Sequence, residues 1–216
     1  MIQYYVYYYI LFTSLISSIS HTKTINSNVK KFLLCSEPED IFPCKCVAKD
    51  DGSKLELDCS DVEDQSELSR VFQAEFPHPH FTSFEIRNNN NIHKLENIFG
   101  PVTFERIAYV YTNLSEIASD AFDGSKNTLK TIIVWGSLLS QSGFHFSVLH
   151  ELKTLTSVQI QYSKLTTFPR IASKTVKLLG FEGNQFHTIA DNVLDNLPSI
   201  QSIKIGWNYL TEIPPG

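Results

Sequence analysis

From Phe81 onward the chain repeats one frame, and a fixed period restricts the possible folds more than any composition does. The last copy is Leu197, Ile200, Ile203, Ile205, Asn208, Leu210 and Ile213, followed by Pro214. The same frame returns as Val176, Leu179, Phe181, Asn184, Phe186, Ile189 and as Leu155, Val158, Ile160, Ser163, Leu165. Earlier copies are Leu129, Ile132, Val134, Ser137, Leu139; then Phe104, Ile107, Tyr109, Thr112, Leu114; and Phe81, Phe84, Ile86, Asn90, Ile92, where an extra residue falls inside the run Asn88 to Asn91. The asparagine-equivalent positions are thus 90, 112, 137, 163, 184 and 208, separated by 22, 25, 26, 21 and 24 residues.

Alternation at two residues on either side of one variable position makes a short strand, and stacking such turns builds a parallel sheet. The asparagine sits at the bend that follows, where its amide can satisfy backbone groups that no strand partner reaches. A hydroxyl at 112, 137 or 163 can do part of that work. One turn cannot bury its own apolar side, so the ends need caps. The expected class is an α/β-type solenoid, with residues 81–216 forming about six turns, the last one incomplete. No C-terminal cap sequence follows Ile213-Pro214-Pro215-Gly216, and the expectation is a chain cut inside a longer array.

The four cysteines all precede the repeats, at 35, 44, 46 and 59. Val6 to Ile19 is an uncharged apolar run followed by Ser20, so residues 1–20 are expected to be a signal peptide and the mature protein to be secreted. An oxidising compartment turns clustered thiols into bridges. Cys44 and Cys46 are too close to pair easily, which leaves two schemes. Leu55, Leu57 and Cys59 alternate like a first strand, and residues 35–80 read as a cysteine-bounded cap with a lead-in helix. That helix is expected from the N-cap Asp64, with Glu67 three residues on and Leu68, Val71, Phe72 and Phe76 at helical spacing before Pro77.

These features resemble secreted leucine-rich repeat proteins with a cysteine-bounded N-terminal cap, over roughly residues 35–216. The string from Cys35 through Pro38, Pro43 and Cys44 to Cys46, with Asp58-Cys59-Ser60 and the segment Phe76 to Phe81, is similar to arthropod proteins named after the leucine-rich, non-catalytic subunit of a secreted shrimp luciferase. The resemblance implies a horseshoe with a concave parallel sheet, pairing of Cys35 with Cys46 and of Cys44 with Cys59, and a role in binding or stabilising a partner.

A net charge of −5 and the lack of a basic cluster argue against nucleic acid and anionic membranes as partners. Fifteen Phe and nine Tyr are too much apolar surface for a disordered chain. The seven histidines, at 21, 78, 80, 93, 145, 150 and 187, have no paired-ligand spacing, and no nucleophile elbow or phosphate loop is present. No enzyme activity, cofactor or metal is expected.

Function in such a scaffold is expected on the outward columns of the sheet. Val110, Tyr111, Ile133, Trp135 and Tyr162 come from three consecutive turns and predict an apolar, aromatic patch with charged flanks, suited to a protein partner. Asn113-Leu114-Ser115 is the one N-x-S/T sequon, which makes Asn113 a candidate glycosylation site. The leading expectation is protein recognition, within a larger complex in the subunit reading; the alternatives are a matrix or structural protein and immune pattern recognition.

Overall fold

The computed structural model describes residues 34–212, so the expected signal segment lies outside the described residues. A one-turn helix α1 (Pro38–Ile41) precedes strands β1 (Lys45–Lys49) and β2 (Lys54–Asp58), and α2 (Gln65–Val71) follows. The remaining strands are β3 (His80–Phe81), β4 (Ser83–Arg87), β5 (Lys94–Leu95), β6 (Thr103–Phe104), β7 (Arg106–Val110), β8 (Glu116–Ile117), β9 (Thr131–Trp135), β10 (Ser157–Gln161), β11 (Leu178–Gly180) and β12 (Ser202–Lys204).

One eight-stranded sheet runs in the order β1-β2-β4-β7-β9-β10-β11-β12. Only the β1/β2 pair is antiparallel; every later neighbour is parallel. Consecutive copies pair in register, with Glu85 opposite Ala108, Ala108 opposite Ile133, Ile133 opposite Gln159, Gln159 opposite Gly180 and Gly180 opposite Lys204. Alternation then sends Phe84, Ile86, Ile107, Tyr109, Ile132, Val134, Val158, Ile160 and Leu179 into one continuous buried core. Two minor parallel pairs also form: β3/β6, just ahead of β4 and β7, and β5/β8, after them.

The cap is joined to this sheet by covalent and polar links. Cys35 bonds to Cys46 and Cys44 to Cys59, which are the pairs implied by the resemblance. Cys59 is also buried at the end of β2, and its N–H donates to the carbonyl of Glu85, so the staple continues directly into the parallel sheet. Asp64 caps α2 by accepting from the Glu67 N–H at 2.8 Å, while Glu67 reaches back to the N–H of Glu63. The helix ends at Val71, earlier than the apolar spacing predicts. Phe72 leaves helical geometry and becomes the centre of an aromatic cluster, with ring centroids 4.8–6.2 Å from Phe76, Phe84, Phe99 and Phe104. Packing against four rings gives more buried area than another helical turn facing solvent.

The ladder of bend residues differs from the sequence reading at one place. In the first turn the buried asparagine is Asn89; Asn90 is exposed. Asn89 donates to the carbonyls of Ser60 and Val62 and accepts from the N–H groups of Asn91 and Ile92. The extra residue therefore follows the ladder position, because only Asn89 reaches the open carbonyls of the cap. The other positions stand as expected. Asn184 donates to Ile160 and Phe181 and accepts from Leu165 N–H, Asn208 repeats the pattern with Phe181, Ile205 and Phe186, and the hydroxyls of Ser137 and Ser163 meet at 3.0 Å.

Candidate functional site

The burial pattern of β9 places Ile132 and Val134 inward and leaves Thr131, Ile133 and Trp135 on the outer face of the sheet. Trp135 therefore lies outside the core, and its register partner on β10 is Gln161, followed by Tyr162. The Trp135 and Tyr162 rings meet at 5.1 Å between centroids with planes 31° apart. Tyr162 is 43% exposed and Tyr111 57%, whereas Val110 is 8% exposed and offers little surface. Ile133 and Trp135 are half-buried. The predicted patch is thus an aromatic ridge of Tyr111, Trp135 and Tyr162, flanked by Ile133, with Val110 beneath it rather than on it.

Backbone conformation explains how the tyrosines are held. Residues 88, 111, 136, 162, 183 and 207 form one column along the turns, and all have φ between 49° and 67°. The turn after each strand imposes left-handed backbone there whatever the residue. Where that residue is glycine, the side chain of the preceding turn fills the vacated space. A Cβ on Gly136 would lie 2.7 Å from Cδ1 of Tyr111, and one on Gly183 would lie 2.7 Å from Cε1 of Tyr162. Each tyrosine ring therefore packs against the next glycine, in the space that a side chain there would occupy. Gly180 acts in the same way for Gln159 on the adjacent column. The sequence puts Gly136 and Gly183 in the same outward column as Tyr111 and Tyr162, but the role of the glycines in seating the rings was not legible from it.

Charged groups flank the ridge unequally. Toward the cap, Glu85 is held by Arg87 and Arg106, the latter at 3.1 Å. Burial pushes the Glu85 carboxyl upward, but the bonds from the two guanidinium groups outweigh it and hold the group below the ordinary range. On the other side Gln161 donates its Nε2 to the carboxylate of Glu182. Gln161 is 3% exposed, and its Oε1 has no hydrogen-bond partner.

Asn113 is half-buried beside the ladder residue Thr112, and its Nδ2 donates to the carbonyl of Asn90 at 3.0 Å. Among the described residues no group of three or more His, Cys, Asp or Glu side chains is placed to hold a metal ion, and both bridges leave no free thiol. No helix of the described residues is long and apolar enough to cross a membrane.

A disulfide-stapled hairpin continued by in-register parallel strands, each followed by a bend with a buried asparagine or hydroxyl, is similar in kind to leucine-rich repeat proteins with an N-terminal cysteine cap. Comparison with known proteins agrees. The chain is 29% identical over 184 residues to the Oplophorus-luciferin 2-monooxygenase non-catalytic subunit of Oplophorus gracilirostris, covering 84% of this chain and 50% of that protein. It is 26% identical over 114 residues to osteomodulin of Mus musculus, and 25% identical over the same length to osteomodulin of Rattus norvegicus, covering 53% of this chain and 27% of each relative. No family model matches the chain. The chain spans about half the length of the Oplophorus protein. That relative is by name a non-catalytic subunit, which agrees with the expectation that this chain is not an enzyme.

Proposed function

We propose that the chain belongs to a secreted, non-catalytic leucine-rich repeat protein that recognises a protein partner, as a subunit of a larger complex. In this reading residues 35–80 are the cap, residues 81–216 are six turns of a horseshoe, and the outer face of the eight-stranded sheet is its concave surface. The observation that carries the reading is the aromatic ridge: Trp135 at the end of β9 and Tyr111 and Tyr162 in the turns that follow β7 and β10 stand exposed or half-exposed on one face of the sheet. Large rings held by the backbone lose little entropy when they are covered, and such residues dominate interface energetics. The name of the Oplophorus relative supports a subunit role.

The test is capture of a partner from the secretory fluid on immobilised protein. Trp135→Ala and Tyr162→Ala should each weaken capture at least about tenfold, the effect of a moderate hot-spot residue, while thermal melting shifts little. Unchanged capture by both variants would remove the ridge from the interface. We also propose a glycan on Asn113; glycosidase treatment should lower the mass of the secreted protein and leave Asn113→Gln unchanged. A second reading is a structural protein that assembles through its repeats. Concentration-dependent self-association in size-exclusion chromatography, without a heterologous partner, is its mark.

A further inference from the structure

The acidic groups on the two sides of the ridge are paired differently. On the same face Glu56 pairs with Lys49, and Glu85 with both Arg87 and Arg106. Glu182 is half-buried too, yet no Lys, Arg or His among the described residues forms an ion pair with it. Lys204, on the neighbouring strand, is exposed and makes no ion pair with Glu182. The contact that Glu182 does make comes from Gln161, whose other amide atom, Oε1, is buried without a donor. The main-chain N–H of Tyr162 donates to the Glu182 carbonyl, and the Tyr162 ring packs against Gly183, the residue after Glu182; Trp135 is the register partner of Gln161 across the strand pair. A half-buried carboxylate without an ion-pair partner, the amide that donates to it and two neighbouring aromatic rings meet on one shelf.

We propose that this shelf, formed by Trp135, Gln161, Tyr162 and Glu182, receives the guanidinium group of an arginine side chain on the partner protein, an inference that rests on the reading of the ridge as the partner-binding surface. A guanidinium is planar and weakly hydrated, stacks on aromatic rings, and carries five N–H donors in a fork that matches a carboxylate. An ammonium group has the charge but not the plane. A neutral sugar ring would stack on the aromatics but would leave Glu182 without a counter-charge. The surplus negative charge of the chain further favours approach of a cation.

The chain contains two tryptophans, so Trp207→Phe leaves Trp135 as the sole indole reporter. In that background, a short glycine-rich peptide with two arginines should shift Trp135 emission saturably at about 0.15 M salt. The matched lysine peptide should bind several-fold more weakly, and the citrulline peptide, which keeps the shape and loses the charge, should not bind. Glu182→Gln should weaken the arginine peptide about tenfold, and Glu182→Lys should abolish it, with melting temperature checked for each. Equal affinity for arginine and citrulline, indifference to both Glu182 variants, or a response to chitohexaose alone would overturn the proposal. Partner capture separates the two readings: loss in Trp135→Ala with full capture by Glu182→Lys keeps the ridge and rejects the guanidinium. Full capture by both rejects the ridge itself.

Discussion

Asn184 shows what one side chain can do in this molecule. Its amide ties three segments, donating to Ile160 on the preceding strand and to Phe181 in its own turn while accepting from Leu165. Replacing it with alanine leaves these buried backbone groups unpaired, at about 1–3 kcal/mol for each group that finds no water. Asn184→Ala is therefore expected to lower the melting temperature by roughly 6–12 °C, taking about 3 kcal/mol in a chain of this size, as calorimetry would record. Asn184→Ser should lose less, because a hydroxyl serves at Ser137 and Ser163. The residue type at each bend was legible in the sequence, but its place within Asn88 to Asn91 was not. Any of four adjacent asparagines could supply the amide; the carbonyls of Ser60 and Val62, in a different part of the chain, select Asn89.

Strands and turns were legible to different depths. The inward alternation of β4, β7, β9 and β10 follows from the sequence directly, since a period of two admits one buried set. The end of α2 does not, because Phe72 is withdrawn from the helix by rings at Phe84, Phe99 and Phe104 that lie far along the chain. The left-handed column after each strand has its own test. At Gly183 a methyl group meets both the positive φ of 67° and the Tyr162 ring above it. Gly183→Ala should cost about 1–2 kcal/mol, the penalty for left-handed backbone, and displace Tyr162, changing the near-ultraviolet circular dichroism of the Trp135–Tyr162 pair. Asn88, Tyr111, Tyr162 and Trp207 already adopt this backbone. The strain alone is therefore tolerated, and an unchanged aromatic signal would show that the ring does not depend on the glycine.

At the scale of the whole molecule, the sheet joins an antiparallel stapled hairpin to a parallel array, and its charges concentrate near that junction. Glu85 stands next to the cap with Arg87 and Arg106 around it, and its depressed folded-state pKa carries a definite sign. The unfolded chain binds this proton more readily, so the stabilisation is complete above the ordinary glutamate pKa of about 4.3 and is lost as pH falls through the lower folded value. Glu85→Gln should melt lower at pH 7 and show a flatter decline between about pH 5 and pH 3. Parallel acid limbs for the two proteins would show that the cluster does not contribute to acid sensitivity.

Period, strand phase, bend chemistry and the grouping of four cysteines ahead of the repeats are properties of order along the chain, and the sequence by itself determined them. Exposure is a property of neighbours, and only the tertiary structure decided it. Val110 and Tyr111 are adjacent, yet one is covered by the sheet and the other stands clear of it. Trp135 and Tyr162 lie 27 positions apart, and parallel in-register pairing brings their rings together. The same pairing sets Gln161 beside Glu182, where a column of outward residues becomes a shelf with a carboxylate, an amide and two rings. A one-dimensional pattern specifies which face a residue takes; what it meets there depends on the next turn.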